Sequence, residues 1–335
     1  MVDLTKVVTP LLLSRENRRR CMKLIIQIPC WNEVESIGAT ISELPRKVDG
    51  FDQVEILVID DGSEDGTAEA AKAAGADHVI QLRGHKGLAA AFSRGIKFCA
   101  ANGADVIVNT DADNQYAASS IPDLVRPILD RGADFVIGAR PIAEIQEFSL
   151  VKKILQRIGS WVVRQLSGTD VPDAPSGFRA LTRETALRLN VFTPFSYTLE
   201  TIIQAGRKGM RTVSVPIRVN PVTRPSRLVK GNLDYIRRSV WTMIRVYAVY
   251  RPFRFFSAVA SLVFFPGFLL SVRFAYFWVS GEGNGHVQSL ILSALLMGTG
   301  FLLFCVAFLS ELIGVNRQIL EDIQFQILSG RGSDN

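Results

Sequence analysis

Histidine and cysteine are scarce in this chain, three and four in 335 residues. Cys21, Cys30, Cys99 and Cys305 show no C-x-x-C spacing and no histidine at metal-ligand spacing. That excludes a zinc finger and a disulfide scaffold, and reduced thiols in a cytosol-facing protein are expected. A secretory signal is also missing. The early apolar run from Val7 to Leu13 is short and is followed, not preceded, by Arg15 and Arg18 to Arg20, so residues 1–22 read as a surface-lying extension. No internal repeat or low-complexity tract is present, which excludes a solenoid. Nor is basic charge diffuse. The net charge is +6, yet arginines gather at 18–20 and 224–254. Nucleic-acid binding calls for a broad basic face, whereas clustering just before an apolar stretch points to a membrane surface.

What is present is hydrophobic mass, 48% of residues, ample for one sizeable core and further elements. Two stretches near the C-terminus differ in kind. Phe255 to Val279 and Val287 to Gly314 are mostly apolar, and at about 1.5 Å per residue each is long enough to cross a hydrocarbon core of about 30 Å. Pro266-Gly267 predicts a kink in the first, and Arg273 is placed to snorkel or to face the partner helix. The connector from Ser280 to His286 has no Lys or Arg, while Arg237, Arg238, Arg245, Arg251 and Arg254 precede the first span. The positive-inside bias therefore predicts a short outer hairpin with both termini cytoplasmic. Just before it, Leu233 to Tyr250 reads as a basic, aromatic amphipathic helix suited to the headgroup layer. The expected organisation is an extension (1–22), an α/β domain (23–230), a juxtamembrane helix (231–252), two transmembrane helices (253–314) and a cytoplasmic tail (315–335). Two helices make a thin anchor, which leaves room for a homo-oligomer.

Residues 23–140 alternate short apolar strands with amphipathic or Ala-rich helices, a rhythm that predicts a mostly parallel sheet covered on both faces. Ligands of such sheets sit beyond the carboxyl ends of the strands. Four strands end there in polar clusters: Cys30-Trp31-Asn32-Glu33, Asp60-Asp61-Gly62-Ser63, Asp111-Ala112-Asp113 and Gly138-Ala139-Arg140. Asp111 and Asp113, at i and i+2, point to the same side. They can hold one Mg²⁺ or Mn²⁺ and leave positions for a diphosphate, with Gln115 adding an amide oxygen. Asp60 to Ser63 could receive a base or ribose, or serve as a turn with a helix cap. Gly84-His85-Lys86-Gly87 could cradle phosphate or simply turn the chain.

Taken in order, Ile28-Pro29-Cys30-Trp31-Asn32-Glu33, Val58-Ile59-Asp60-Asp61-Gly62-Ser63 and Asp111-Ala112-Asp113-Asn114-Gln115 resemble the family 2 glycosyltransferases, which have the Rossmann-like GT-A fold. Asp173-Ala174-Pro175-Ser176-Gly177-Phe178-Arg179 and Ser226-Arg227-Leu228 narrow the resemblance to the dolichyl-phosphate mannose synthase branch, including bacterial polyprenyl-phosphate glycosyltransferases with two C-terminal membrane helices. The resemblance implies inverting transfer of a sugar from a nucleotide-sugar donor to a membrane polyprenyl phosphate. It implies nucleoside contacts from Pro29, Trp31, Glu33 and Asp61, and metal and diphosphate contacts from Asp111, Ala112, Asp113 and Gln115. It also places Arg140 toward phosphate or sugar, and Arg227 on a loop that closes over the donor. Trp31 stands where the family usually has Tyr, and Pro221 where the mannose synthases carry Arg, with Arg224 close by; no particular base follows.

A phosphate monoester is already ionised near neutral pH, so it attacks the anomeric carbon without a strong base, and positioning with charge stabilisation suffices. Arg157, Arg179, Arg224 and Lys230 are the candidate cations for that phosphate. Two other readings compete. A polysaccharide synthase usually carries a Q-x-x-R-W motif and a larger channel, neither of which is found. A non-catalytic nucleotide-sugar-binding scaffold would not need Asp111, Asp113 and Gln115 intact.

Overall fold

The structure, a computed structural model, describes residues 21–141, 150–191, 197–220, 232–281, 285 and 287–330. Its centre is a seven-stranded sheet: β1 (Lys23–Cys30), β2 (Gln53–Asp60), β3 (His78–Gln81), β4 (Val106–Asn109), β5 (Phe135–Ala139), β6 (Arg179–Thr182) and β7 (Thr212–Pro216). The spatial order is β3-β2-β1-β4-β6-β5-β7. All neighbours run parallel except β6, which is antiparallel to both β4 and β5. Ile25, Ile26, Leu57, Val58, Ile107, Val108 and Val136 are fully enclosed, because a sheet covered on both faces buries both sides of its strands.

Helices α1 (Val34–Glu43), α2 (Thr67–Ala73) and α4 (Ile121–Arg131) cover one face, with Ile37, Ala71 and Leu124 in one core. Helix α3 (Leu88–Ala101), with α5 (Leu150–Ser167), α6 (Arg183–Arg188) and α7 (Tyr197–Arg207), covers the other through Phe92, Val163, Ala186 and Ile202. Helix α1 stops at Glu43 because Pro45 pushes Leu44 to extended backbone, ψ 136°,. The chain leaves β1 toward β2 on one side and β4 lies on the other, so the topological switch falls between β1 and β4. Beyond it the strand-end clusters meet.

Helix α8 (Asn232–Tyr250) leads into α9 (Pro252–Val279), which turns back as α10 (Val287–Gly330). Helices α9 and α10 are long and apolar enough to cross a membrane. Pro266 lies inside α9 without ending it, and Arg273 lies along its own helix, over Phe277 at 5.6 Å. Because lipid is as apolar as the side chains, close packing joins such helices rather than water exclusion. Two glycines allow it: a Cβ on Gly267 would stand 2.8 Å from Leu296 Cβ, and one on Gly300 2.6 Å from Phe264 Cβ. Ser293 donates to the Gly267 carbonyl at 2.7 Å. Helix α10 runs on past residue 314 to Gly330, keeping an apolar helical pattern, and its Glu321 pairs with Lys208 of the α/β domain.

Candidate active site

The loops after β1 and β4 bend at Asn32 and Asn114, the two non-glycine residues with left-handed backbone (φ 53° and 55°) among those described. Asparagine tolerates that conformation through local side-chain hydrogen bonds. Asn32 Oδ1 accepts from Glu64 N at 3.1 Å, and Asn114 Nδ2 donates to Glu43 Oε1 at 2.9 Å. Trp31 is thereby held at the rim, 43% exposed, with its ring stacked on His85 at 4.1 Å. Glu33 caps the start of α1 and its carboxylate accepts from Ser36 Oγ at 2.8 Å. Pro29 is buried inside β1; its register with Ile59 keeps the ring in the sheet, so it shapes the strand end rather than offering a face to a nucleoside.

Asp61, expected at the nucleoside, is engaged by the protein itself in this structure. It is 1% exposed and accepts from Lys86 N at 2.9 Å and Gly87 N at 2.7 Å, with His85 Nδ1 2.8 Å away. Its carboxylate organises the 84–87 loop. Those amides point at Asp61, so the loop does not present them as a phosphate cradle. Gly62 (φ 75°) presses on that loop, where a Cβ would lie 2.6 Å from the Gly84 carbonyl carbon.

Asp111 sits at the centre. Burial first, and Asp113 second, raise its pKa to about 7, against the opposing pull of Arg140, Arg179 and a hydrogen bond from Tyr116. Two neighbouring carboxylates that repel each other suit a hard cation with oxygen ligands. No cluster of three acidic, His or Cys side chains exists among the described residues. Asp113 Oδ1 accepts from Gln115 N at 3.1 Å, tightening the turn, and the Ala112 carbonyl accepts from Thr40 at 2.9 Å.

A buried polar layer fixes this centre. Asn109 accepts from Gln27 Nε2 at 2.8 Å and donates to the Gly177 carbonyl at 2.8 Å and Tyr197 Oη at 3.0 Å. Gly177 N donates to Tyr116 Oη at 3.0 Å. A Cβ on Gly177 would stand 2.8 Å from both Asp111 oxygens, so close approach, not backbone angle, demands glycine there. None of Asn109, Tyr116 and Tyr197 stood out in the sequence. The one visible signal was a polar residue closing an apolar strand, at Asn109.

The arginines divide. Arg140 is brought to the site and locked: Nε donates to Asp173 Oδ2 at 2.7 Å and Nη2 to Oδ1 at 3.0 Å. Beside it lies a cavity of about 280 Å³ lined by Ala139, Arg140, Arg157, Ser160, Arg164, Pro172 and Asp173. Arg157, one of the candidate acceptor cations, lines this cavity with Arg164 and Ser160, which the sequence did not single out. Arg179 is not so placed. It is fully buried and gives its donors to the carbonyls of Ala174, Ser176 and Thr198 and to Thr201 Oγ1. Burial lowers its pKa to about 10, so it remains a cation, but it serves as an internal brace. Pro221, Arg224, Arg227 and Lys230 lie outside the described residues. Cys30 and Cys99 are buried and unbridged, with thiol pKa values raised by burial.

A family model described as glycosyl transferase family 2 matches residues 25–188. The glycosyltransferase AglJ of Haloferax volcanii is 30% identical over 311 residues, 89% of this chain and 96% of that protein. An undecaprenyl-phosphate mannosyltransferase of Micrococcus luteus is 30% identical over 206 residues, 58% of this chain and 83% of that one. Among solved structures, glucosyl-3-phosphoglycerate synthase from Mycobacterium tuberculosis, crystallised with Mn²⁺, uridine diphosphate and glucosyl-3-phosphoglycerate, shares the fold. Its TM-score is 0.51 at 24% identity over 68% of this chain and 79% of that chain. Strand-end clusters, fold and relatives agree: the chain belongs to glycosyl transferase family 2 and is a glycosyltransferase of the GT-A fold.

Proposed function

We propose that this enzyme transfers a sugar, with inversion, from a UDP- or GDP-linked donor to the phosphate of a membrane polyprenol, in a reaction that depends on Mg²⁺ or Mn²⁺. The observation that carries this reading is helix α5. Arg157, Ser160 and Arg164 turn one side of it to the cavity beside Arg140, while Ile154, Ile158 and Trp161 stand exposed at helical spacing, Ile154 and Trp161 each 54%. A cationic cavity next to an apolar stripe suits an acceptor that is phosphate at one end and lipid at the other. The similarity to an undecaprenyl-phosphate mannosyltransferase supports the same acceptor class.

In this reading Trp31 stacks on the base, Asp61 and Glu33 shape the nucleoside slot, and Asp111 and Asp113, aided by Gln115, hold the metal. The ion offsets the negative charge that develops on the departing diphosphate. Arg140, held by Asp173, faces the sugar and phosphate, and Arg157 and Arg164 orient the acceptor oxygen in line with the anomeric carbon. The family resemblance adds Arg227 as a donor contact and Arg224 and Lys230 as acceptor-phosphate candidates. The α/β domain and both termini are placed in the cytoplasm, and α9 and α10 keep the site at the bilayer surface.

The test is direct. Full-length protein in bilayer nanodiscs with a polyprenyl phosphate is offered radiolabelled UDP- and GDP-sugars. Label is expected in the organic phase with one donor, dependent on Mn²⁺ or Mg²⁺, with the anomeric configuration inverted. No organic-phase label from any donor would overturn the acceptor assignment.

A further inference from the structure

Helix α7 works on two sides. Its first turn reaches the site, where Tyr197 Oη accepts from Asn109 and the ring stacks on Phe92 at 4.0 Å. Arg179 donates to Thr198 O at 2.8 Å and Thr201 Oγ1 at 2.6 Å. The other side grips the membrane stem. Tyr250, at the end of α8, donates to buried Glu200 Oε1 at 3.0 Å and accepts from buried Gln204 Nε2 at 3.2 Å. Arg207 donates to the Tyr250 carbonyl, and Arg317 of α10 covers the Tyr250 ring at 5.1 Å. Lys208 pairs with Glu321 of α10 at 2.9 Å, and Arg317 pairs with the same carboxylate at 3.2 Å. One turn further on, Arg188 of α6 lies over Phe325 at 4.2 Å. A continuous series of contacts therefore runs from the cytoplasmic end of α10 to the residues that enclose Asp111.

A purely apolar joint could slide. This one is polar: Tyr250, Glu200, Gln204 and Glu321 are buried in it, and hydrogen bonds with ion pairs to Lys208 and Arg317 hold its register,. We propose that Tyr250 and Glu321 are positioning residues: they seat α7 on the membrane stem, and α7 sets Tyr197 and Arg179 around Asp111, so turnover depends on that seating. The proposal rests on the functional reading above only for the identity of the acceptor.

The experiment uses the full chain in nanodiscs and the variants Tyr250→Phe and Glu321→Gln, measuring kcat, both KM values, donor hydrolysis and the melting temperature. Each variant is expected to lower kcat about tenfold, with KM and melting temperature little changed. Glu200→Gln, which keeps an acceptor oxygen for Tyr250, is expected to retain most of kcat. Joining Tyr250→Phe to Tyr197→Phe should cost less than the product of the single losses, whereas joining it to Arg157→Ala should multiply. A wild-type kcat in both single variants, multiplying losses for the two tyrosines, or a kcat that falls only in step with melting temperature would overturn the proposal. Should no lipid product form even with the wild type, the acceptor reading fails, and donor hydrolysis across the same variants still decides the role of α7.

Discussion

The α/β domain and the helical hairpin use the same apolar residues in opposite ways. In the domain, Ile25, Leu57, Phe92 and Phe135 are wholly enclosed, while in the hairpin Leu262, Val279 and Ile313 are 76%, 79% and 69% exposed. The hairpin hides small residues instead, Ala260, Ala307 and Ser293. In water the hydrophobic effect drives large side chains inward at roughly 25 cal/mol per Å². In lipid that drive is absent between helices, and backbone approach at small residues takes over. Polar groups differ as well. The domain interior keeps Gln27, Asn109, Arg179 and Glu200, each tied to the site or to its support, whereas between α9 and α10 Ser293 donates to a backbone carbonyl. One region stores chemistry in its core; the other stores only fit.

That contrast can be broken experimentally. The largest effect is expected for Asp113→Ala: transfer should fall by at least about 10²–10³-fold, and UDP or GDP with Mn²⁺ should no longer protect against unfolding. Full activity in membranes would remove the metal assignment. Gly177→Ala comes next. Its methyl group would strike both Asp111 oxygens, so a loss of about 100-fold in kcat is expected, with about 1–3 kcal/mol of destabilisation from overpacking. Arg179→Ala is expected to destabilise by about 3–5 kcal/mol, since it strands buried carbonyls and the Asp111 side, visible as a melting temperature lower by about 10 °C. An unchanged melting temperature would return Arg179 to the list of ligand contacts.

A pH series tests the metal without an activity readout. In the metal-free chain, Asp111 keeps its proton up to about pH 7 when folded, against 3.8 when unperturbed. The folded state therefore binds the extra proton between those values, and stability should fall as pH rises through that window. Mn²⁺ should flatten the slope, and a slope indifferent to Mn²⁺ would contradict a cation at Asp111. The smallest effect on function is expected in the hairpin. Gly300→Leu should push α10 off Phe264 and cost about 1–3 kcal/mol of hairpin stability, while nucleotide binding by the α/β domain stays unchanged. A matching loss of nucleotide binding would show that the two regions are less separate than their packing suggests.

Much of the fold was legible in the order of residues. The alternation of apolar runs with helical patterns located β1 to β5 and α1 to α4, because strand and helix periods are local properties. The carboxylate pair, Trp31 and the two apolar spans were visible for the same reason. The insertion of β6 between β4 and β5 was not, since a strand's neighbours depend on long-range pairing. Short α6 was missed too, having too few residues to show a period. Pro29, Asp61 and Arg179 were read as ligand contacts from their company in motifs. Each turned out to be enclosed, because residue type says what a side chain can bond to but not whether protein atoms have already taken the bonds.

The sequence by itself determined the reaction class, the adjacent carboxylates Asp111 and Asp113 and two helices long and apolar enough to cross a membrane, since these rest on residue chemistry and on runs of contiguous residues. Only the tertiary structure decided how the cations are engaged: Arg157 lines a cavity, Arg164 stands 4.0 Å from Asp170, Arg140 is paired with Asp173 and Arg179 is enclosed. It alone also decided that α10 runs on to Gly330 and that its Glu321 pairs with Lys208 at the end of α7. The physical reason is the same in both cases. Burial and pairing are set by neighbours distant in sequence, and a charge is available for chemistry only when no neighbour has satisfied it.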